Sequence, residues 1–154
     1  MNTMDVSVII IYILYFWNGF SFLKKEKING NMFNNYEFGD YIIYAAWPEY
    51  KVFFDGRGDM YGDDIFKEYE KVTSIKPGWN EVLRKYDISW IIYNANSSLS
   101  LFLMQRDDWS LIYADEVSNI FVKNDKEHQY LIEKYSDVKM IIPDSKKSEK
   151  RTKI

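Results

Sequence analysis

One short stretch, VFFDGRGDMYGDD at residues 52–64, concentrates charged and phenolic side chains: Asp55, Arg57, Asp59, Tyr61, Asp63 and Asp64. Carboxylates spaced this way raise the question of a calcium loop. An EF-type loop counted from Asp55 puts Arg57 at its third position, Met60 where a glycine is needed and Phe66 where a bidentate acid belongs. Counted from Asp59, the loop gains Glu70 at its last position but has Tyr61 at its third and Asp64 in the glycine slot. Both frames fail, and no metal ligands are assigned. Arg57-Gly58-Asp59 spells an adhesion tripeptide and Asn96-Ser97-Ser98 a glycosylation sequon, but neither carries a mechanism without a receptor or a secretory pathway around it.

Two readings of the turn have physical content. A planar guanidinium beside flexible glycines can grip a phosphate or carboxylate, which makes Asp55, Arg57, Asp59 and Tyr61 candidate ligand-binding residues. If Asp55–Arg57 follows a strand, it lies at the carboxyl end, where open α/β sheets bind ligands. Alternatively, Asp55 and Arg57 pair with each other or with nearby backbone and simply lock the turn. Acid–base catalysis by an aspartate pair is the weakest option, because the acids share one run of the kind that is usually solvated.

The rest of the composition narrows the chemistry. With no cysteine, thiol catalysis, thiolate metal sites and disulfides are excluded, and the single histidine, His128, has no second histidine to share a metal or a proton. The net charge of −3 hides a local excess of about +3 in residues 144–154. The remainder is acidic, so no nucleic-acid partner is expected. Neither is a cofactor.

The elements that must position the turn follow from apolar periodicity. Residues 41–47, YIIYAAW, are apolar nearly all round and fit a short buried helix before Pro48 or a strand. KVFFD at 51–55 fits a short strand ended by Gly56. Asp63 or Asp64 is an N-cap candidate for a helix carrying Ile65, Tyr69 and Val72 on one face. Trp79, Val82, Leu83 and Tyr86 make the cleanest amphipathic helix, with Trp79 as core. ISWIIY at 88–93 reads as a strand buried on both faces, and Ser97 or Ser98 caps a helix holding Leu99 and Leu103.

Two strands at 109–114 and 117–123 around Asp115-Glu116 form a hairpin without the favoured glycine. A helix is expected within 125–135 and a last strand at 138–142. The sum is a small α/β domain, a mixed sheet with flanking helices and a C-terminal β-hairpin.

Residues 6–23, VSVIIIYILYFWNGFSFL, contain no charge and as a helix would run roughly 27 Å, enough to cross a bilayer. Aromatics at its end and Lys24, Lys25 and Lys27 beyond suit an interfacial anchor. The division expected is a flank at 1–5, a transmembrane helix at 6–23, a polar linker at 24–30, the α/β domain at 31–142 and a basic disordered tail at 143–154. A buried element of the domain is the competing reading of 6–23. The lysines after the span would place the domain in the cytoplasm.

Four blocks in order, FNNYEFGDYII (33–43), KVFFDGRGDMYGDDIFKEY (51–69), GWNEVLRKYDISWII (78–92) and DWSLIYADEVSNIFVK (108–123), carry a resemblance. They resemble the C-terminal extramembrane region of multi-spanning bacterial and archaeal proteins grouped with C-type, lipid-phosphate-sugar-dependent glycosyltransferases. Asn34, Tyr36, Phe38 and Gly39 match its first box and Asp55, Gly56, Arg57, Asp59 and Tyr61 its second. The first box and Gly56 are matched as structural positions. Phe38 stands where tryptophan is common, and Asp40 where a second glycine is frequent, which argues against close backbone approach there.

The resemblance implies an extracytoplasmic domain directly after a membrane helix, against the lysine flank, with the catalytic acid and most of the lipid-phosphate site in other membrane helices. The expected function is therefore a membrane-anchored domain, the C-terminal part of a glycosyltransferase-like membrane protein, not catalytic alone. Its expected partners are membrane lipid and a lipid-phosphate sugar or another membrane protein, with Arg57 and Tyr61 helping to hold an acceptor or lipid phosphate. The alternative is a noncatalytic interaction module of a single-pass membrane protein.

Overall fold

The computed structural model describes residues 18–57 and 60–141. In chain order these form α1 at 18–26, β1 (Asn31–Asn34), α2 (Tyr36–Ala46), α3 (Asp63–Thr73), α4 (Trp79–Lys85), β2 (Ile88–Asn94), α5 (Ser98–Leu103), β3 (Trp109–Ala114), β4 (Ser118–Lys123) and α6 (Gln129–Lys134). The strands make one mixed sheet in the order β1-β2-β4-β3, with β1 parallel to β2 and the other pairs antiparallel. This is the expected α/β domain with a mixed sheet, flanking helices and a C-terminal hairpin.

Both faces of the sheet are covered, which explains why β2 is apolar at nearly every position. Trp90 and Ile92 point into a core with Met32, Ile120 and Val122, closed by Phe20 and Leu23 of α1, Phe38 and Ile42 of α2 and Leu131 of α6. Ile91 and Tyr93 point the other way, with Phe33 and Phe121, onto Tyr69 and Val72 of α3, Val82 and Leu83 of α4 and Leu99 and Leu103 of α5. The period-two alternation along β1, β2 and β4 thus feeds two cores rather than one core and solvent.

The hairpin closes without glycine because Asp115 supplies the turn: its Oδ1 accepts from the backbone N–H of Val117 and Ser118, and its Oδ2 accepts from the Tyr113 hydroxyl. Ser97 caps α5 as its type predicts, accepting from the Ser100 N–H. At α3 the capping residue is Gly62, at φ 79°, and Asp63 and Asp64 occupy the first helical turn instead, where they complement the helix dipole. Trp79 is half-buried against the second core.

Three expectations change. Residues 51–55 form no strand, because the N–H groups of Phe53 and Phe54 are taken by the side chain of Asn34 and not by a neighbouring strand. Residues 138–141 are likewise not a strand. The stretch expected as a linker is packed: α1 runs to residue 26 and Ile28 is buried.

In α1, Gly19, Phe20, Leu23 and Glu26 face inward and Asn18, Ser21, Lys24 and Lys25 outward, a helical period that seats one face on the domain. Most of the apolar span expected at 6–23 lies outside the described residues, as does the basic tail at 143–154. Among the described residues no helix is long and apolar enough to cross a membrane.

Candidate functional site

The site is assembled where β1 ends. Asn34, fully buried, folds its amide over the 53–54 backbone: Oδ1 accepts from Phe53 N at 2.8 Å and Phe54 N at 3.4 Å, while Nδ2 donates to Phe54 O at 2.7 Å and Asn35 O at 2.8 Å. One side chain therefore stands in for a missing strand partner. Asn35 caps α2 through the Glu37 N–H, and the Tyr36 N–H donates to the Tyr69 hydroxyl on α3. Phe54 stacks on Tyr69 with ring centroids 4.7 Å apart and meets Tyr61 at 4.9 Å.

Gly39 lets this segment lie directly on α2, against the backbone of Phe54 and Asp55. The charge at Asp40 does not prevent that approach, because its carboxylate sits one residue further along, beside Gly56.

The Asp55 carboxylate is completely buried and satisfied by its own turn. Oδ1 accepts from Arg57 N at 2.8 Å and Arg57 Nε at 3.1 Å, and Oδ2 accepts from Arg57 Nη2 at 2.6 Å and the Tyr61 hydroxyl at 2.7 Å. The Arg57 fork, opposing the cost of burial and helped by Tyr61, holds this carboxyl at about 2. The same pair raises Arg57 above its usual value, and burial together with the Asp55 hydrogen bond raises Tyr61. An acid pinned in this state cannot serve as a proton donor near neutral pH. The arrangement is the locked turn, with Arg57 still 59% exposed on its outer side.

Asp55, Arg57 and Tyr61 are thus brought together, while Asp59 lies outside the described residues. Of the first-box residues, Asn34 and Gly39 hold the turn, Phe38 is buried in the first core, and Tyr36 is exposed with its hydroxyl donating to Glu37 Oε1 at 3.3 Å. Gly56 follows the buried carboxylate.

Among the described residues no cluster of three or more His, Asp or Glu side chains gathers to hold a metal ion. His128 is buried, its Nδ1 2.8 Å from Asp125 Oδ1 and its Nε2 3.2 Å from the Asn29 carbonyl oxygen, and so joins α6 to the segment before β1.

On the outer side of the turn opens a groove of about 380 Å³, lined by Ile43, Trp47, Lys51, Val52, Arg57 and Tyr61. Ile43, Trp47 and Lys51 are absent from the sequence-based site. A signal existed: residues 41–47 are apolar nearly all round, more than one buried helix face requires. A second cavity of about 430 Å³ lies between residues 27–32 and 48–51.

No protein-family model matches the chain, and neither does any curated protein or solved structure.

Proposed function

We propose that this chain is a membrane-anchored α/β domain that supports a glycosyltransferase-like membrane protein from outside the cytoplasm and performs no chemistry alone. The observation that carries the noncatalytic part is the state of Asp55: buried, ionised and bonded on both oxygens by Arg57 and Tyr61. The uncharged residues 6–17 support the anchor, while residues 18–23 of the same run belong to α1, whose Phe20 and Leu23 pack into the first core and hold the domain close to it.

Two measurements test this. The full chain, expressed in a bacterial host, should stay with the membranes through alkaline carbonate extraction and be cleaved by protease added to spheroplasts; release into the supernatant would overturn the anchor. In an active multi-spanning parent carrying this domain, Asp55→Asn should reduce sugar transfer only in proportion to the folded fraction. Loss of turnover in a fully folded variant would make Asp55 a catalytic group.

A specific observation also favours the interaction-module reading. Tyr44 on α2, Trp47 at its C-terminal cap and Met60 in the charged turn are 88%, 62% and 79% exposed, large apolar side chains of the kind that contact surfaces use. Stoichiometric co-purification with one membrane protein, without any transferase parent, would support that reading over the first.

A further inference from the structure

We infer that His128 is a pH-operated latch: with protons on both ring nitrogens it ties the start of α6 to the segment before β1, and on losing one it lets that segment go. The ring is 1% exposed and lies between two oxygens. Nδ1 is 2.8 Å from Asp125 Oδ1, and Nε2 is 3.2 Å from the Asn29 carbonyl oxygen. An ionised carboxylate and a backbone carbonyl accept and never donate, whereas a neutral imidazole has one N–H and one lone pair. In either neutral tautomer, one contact would therefore set a lone pair against an oxygen. An imidazolium donates to both, and the Asp125 carboxylate supplies the opposite charge that a buried cation needs.

The surroundings decide which contact yields when the ring loses a proton. Asp125 Oδ1 also accepts from the His128 backbone N–H at 3.1 Å, which keeps the carboxylate in place. The shorter, charge-assisted Nδ1 bond holds the remaining proton, and the longer Nε2 contact to Asn29 is lost. The Asn29 carbonyl still accepts from the Ser89 hydroxyl of β2 at 3.2 Å, and the Gly30 carbonyl from the Trp90 indole N–H at 3.1 Å, so the segment loosens without unfolding. Of the other charged groups on the elements around this joint, Lys27, Lys126 and Glu127 are exposed, and Glu26 of α1 is engaged by Lys134, Tyr130 and Tyr135. A base held in its protonated form stabilises most in mild acid, and this tie is lost as pH rises and the ring gives up a proton. Because residues 27–32 form one wall of the cavity of about 430 Å³, the latch also sets how freely that wall moves.

His128 is the single histidine of the chain, so its ring is read directly by nuclear magnetic resonance. The full chain, in detergent micelles where membranes retain it, is labelled with nitrogen-labelled histidine and titrated upward from about pH 5.5, through the range in which histidines change charge, until the ring has lost one proton. Two ring-nitrogen resonances close together, each bonded to hydrogen, are expected at the acid end, and a widely split pair with hydrogen on Nδ1 alone at the other. Across that step, hydrogen exchange at residues 28–31 should speed up by roughly tenfold relative to β4, about what the loss of one hydrogen bond is worth. Asp125→Asn should move the step to lower pH, because the carboxylate that favours the imidazolium is gone. The inference is overturned if the ring carries a single proton at the acid end, if exchange at residues 28–31 keeps pace with β4 through the step, or if Asp125→Asn leaves the step where it was.

Discussion

Gly39 on α2 lies against the backbone of Asp55: a β-carbon added at Gly39 would stand 2.8 Å from the Asp55 Cα and nearer still to the carbonyl oxygen of Phe54. Backbone cannot swing aside as a flexible side chain can. The two sequence boxes, more than a dozen residues apart, are therefore one structural device in which the helix after β1 supplies the seat for the charged turn. Gly39→Ala should lower unfolding free energy by about 2 kcal/mol, the usual cost of overpacking. Urea denaturation checks this; a cost below about 0.5 kcal/mol would mean that the seat is loose.

Asp55 links the turn's stability to pH. Its carboxyl is held at about 2 against an ordinary 3.8. A carboxyl depressed on folding stabilises the native state above its unfolded value, and that contribution is lost as pH falls through the folded value. Asp55→Asn should cost roughly 2 kcal/mol at pH 7, as expected for removing a charged acceptor from buried hydrogen bonds. The difference in stability between parent and variant should then shrink as pH falls from about 4 toward 2. Subtracting the two pH profiles cancels the other depressed carboxyls, Glu26, Glu68 and Asp108. A difference that stays flat across this window would refute the linkage.

Asn34 is the brace that sequence periodicity cannot reveal. Its side chain needs both a donor and an acceptor end, because Oδ1 receives two N–H groups while Nδ2 faces two carbonyl oxygens. Asn34→Asp keeps the shape but points an oxygen at those carbonyls, and should cost about 3 kcal/mol or more at pH 7. Circular-dichroism melts compare it with Asn34→Ala. If Asn34→Asp melts with the parent chain, the brace as described is absent.

How much could be read beforehand follows from which interactions are local. The β2 strand, the β3–β4 hairpin and the Ser97 cap were legible because each depends on neighbours in sequence: an apolar run, two strands around a tight turn, a hydroxyl before a helix. KVFFD looked like a strand for the same local reason, yet its N–H groups bond to Asn34, 19 and 20 residues away. The strand status of 31–34 was hidden in an Asn- and Gly-rich stretch, since β1 exists only by pairing with β2 across the α2–α4 crossover. At the site, Asp55, Arg57 and Tyr61 were visible because they are close in sequence. Trp47, Ile43 and Lys51 come from the adjoining helix and the segment after it, and only the fold brings them to Arg57.

A buried carboxylate joins α1 to α6. Glu26 of α1 is buried, and its carboxylate accepts from Lys134 Nζ at 2.9 and 3.1 Å, from the Tyr135 hydroxyl at 2.5 Å and from the Tyr130 hydroxyl at 3.5 Å. Burial works against its ionisation, but the Tyr135 and Lys134 hydrogen bonds outweigh that and hold the carboxyl below its ordinary range. The joint therefore contributes stability at neutral pH that fades as acid protonates Glu26. Glu26→Ala should cost about 2 kcal/mol, somewhat less than a fully enclosed ion pair because Lys134 is 47% exposed and can turn to water. Hydrogen exchange is the measurement that gives the result mechanical meaning. If Glu26 pins α1 to α6, amides of both helices should exchange at least tenfold faster in the variant, while β2 and β4 keep their relative protection. Faster exchange in α1 alone would show that α6 is held by Leu131 and its core contacts without this carboxylate.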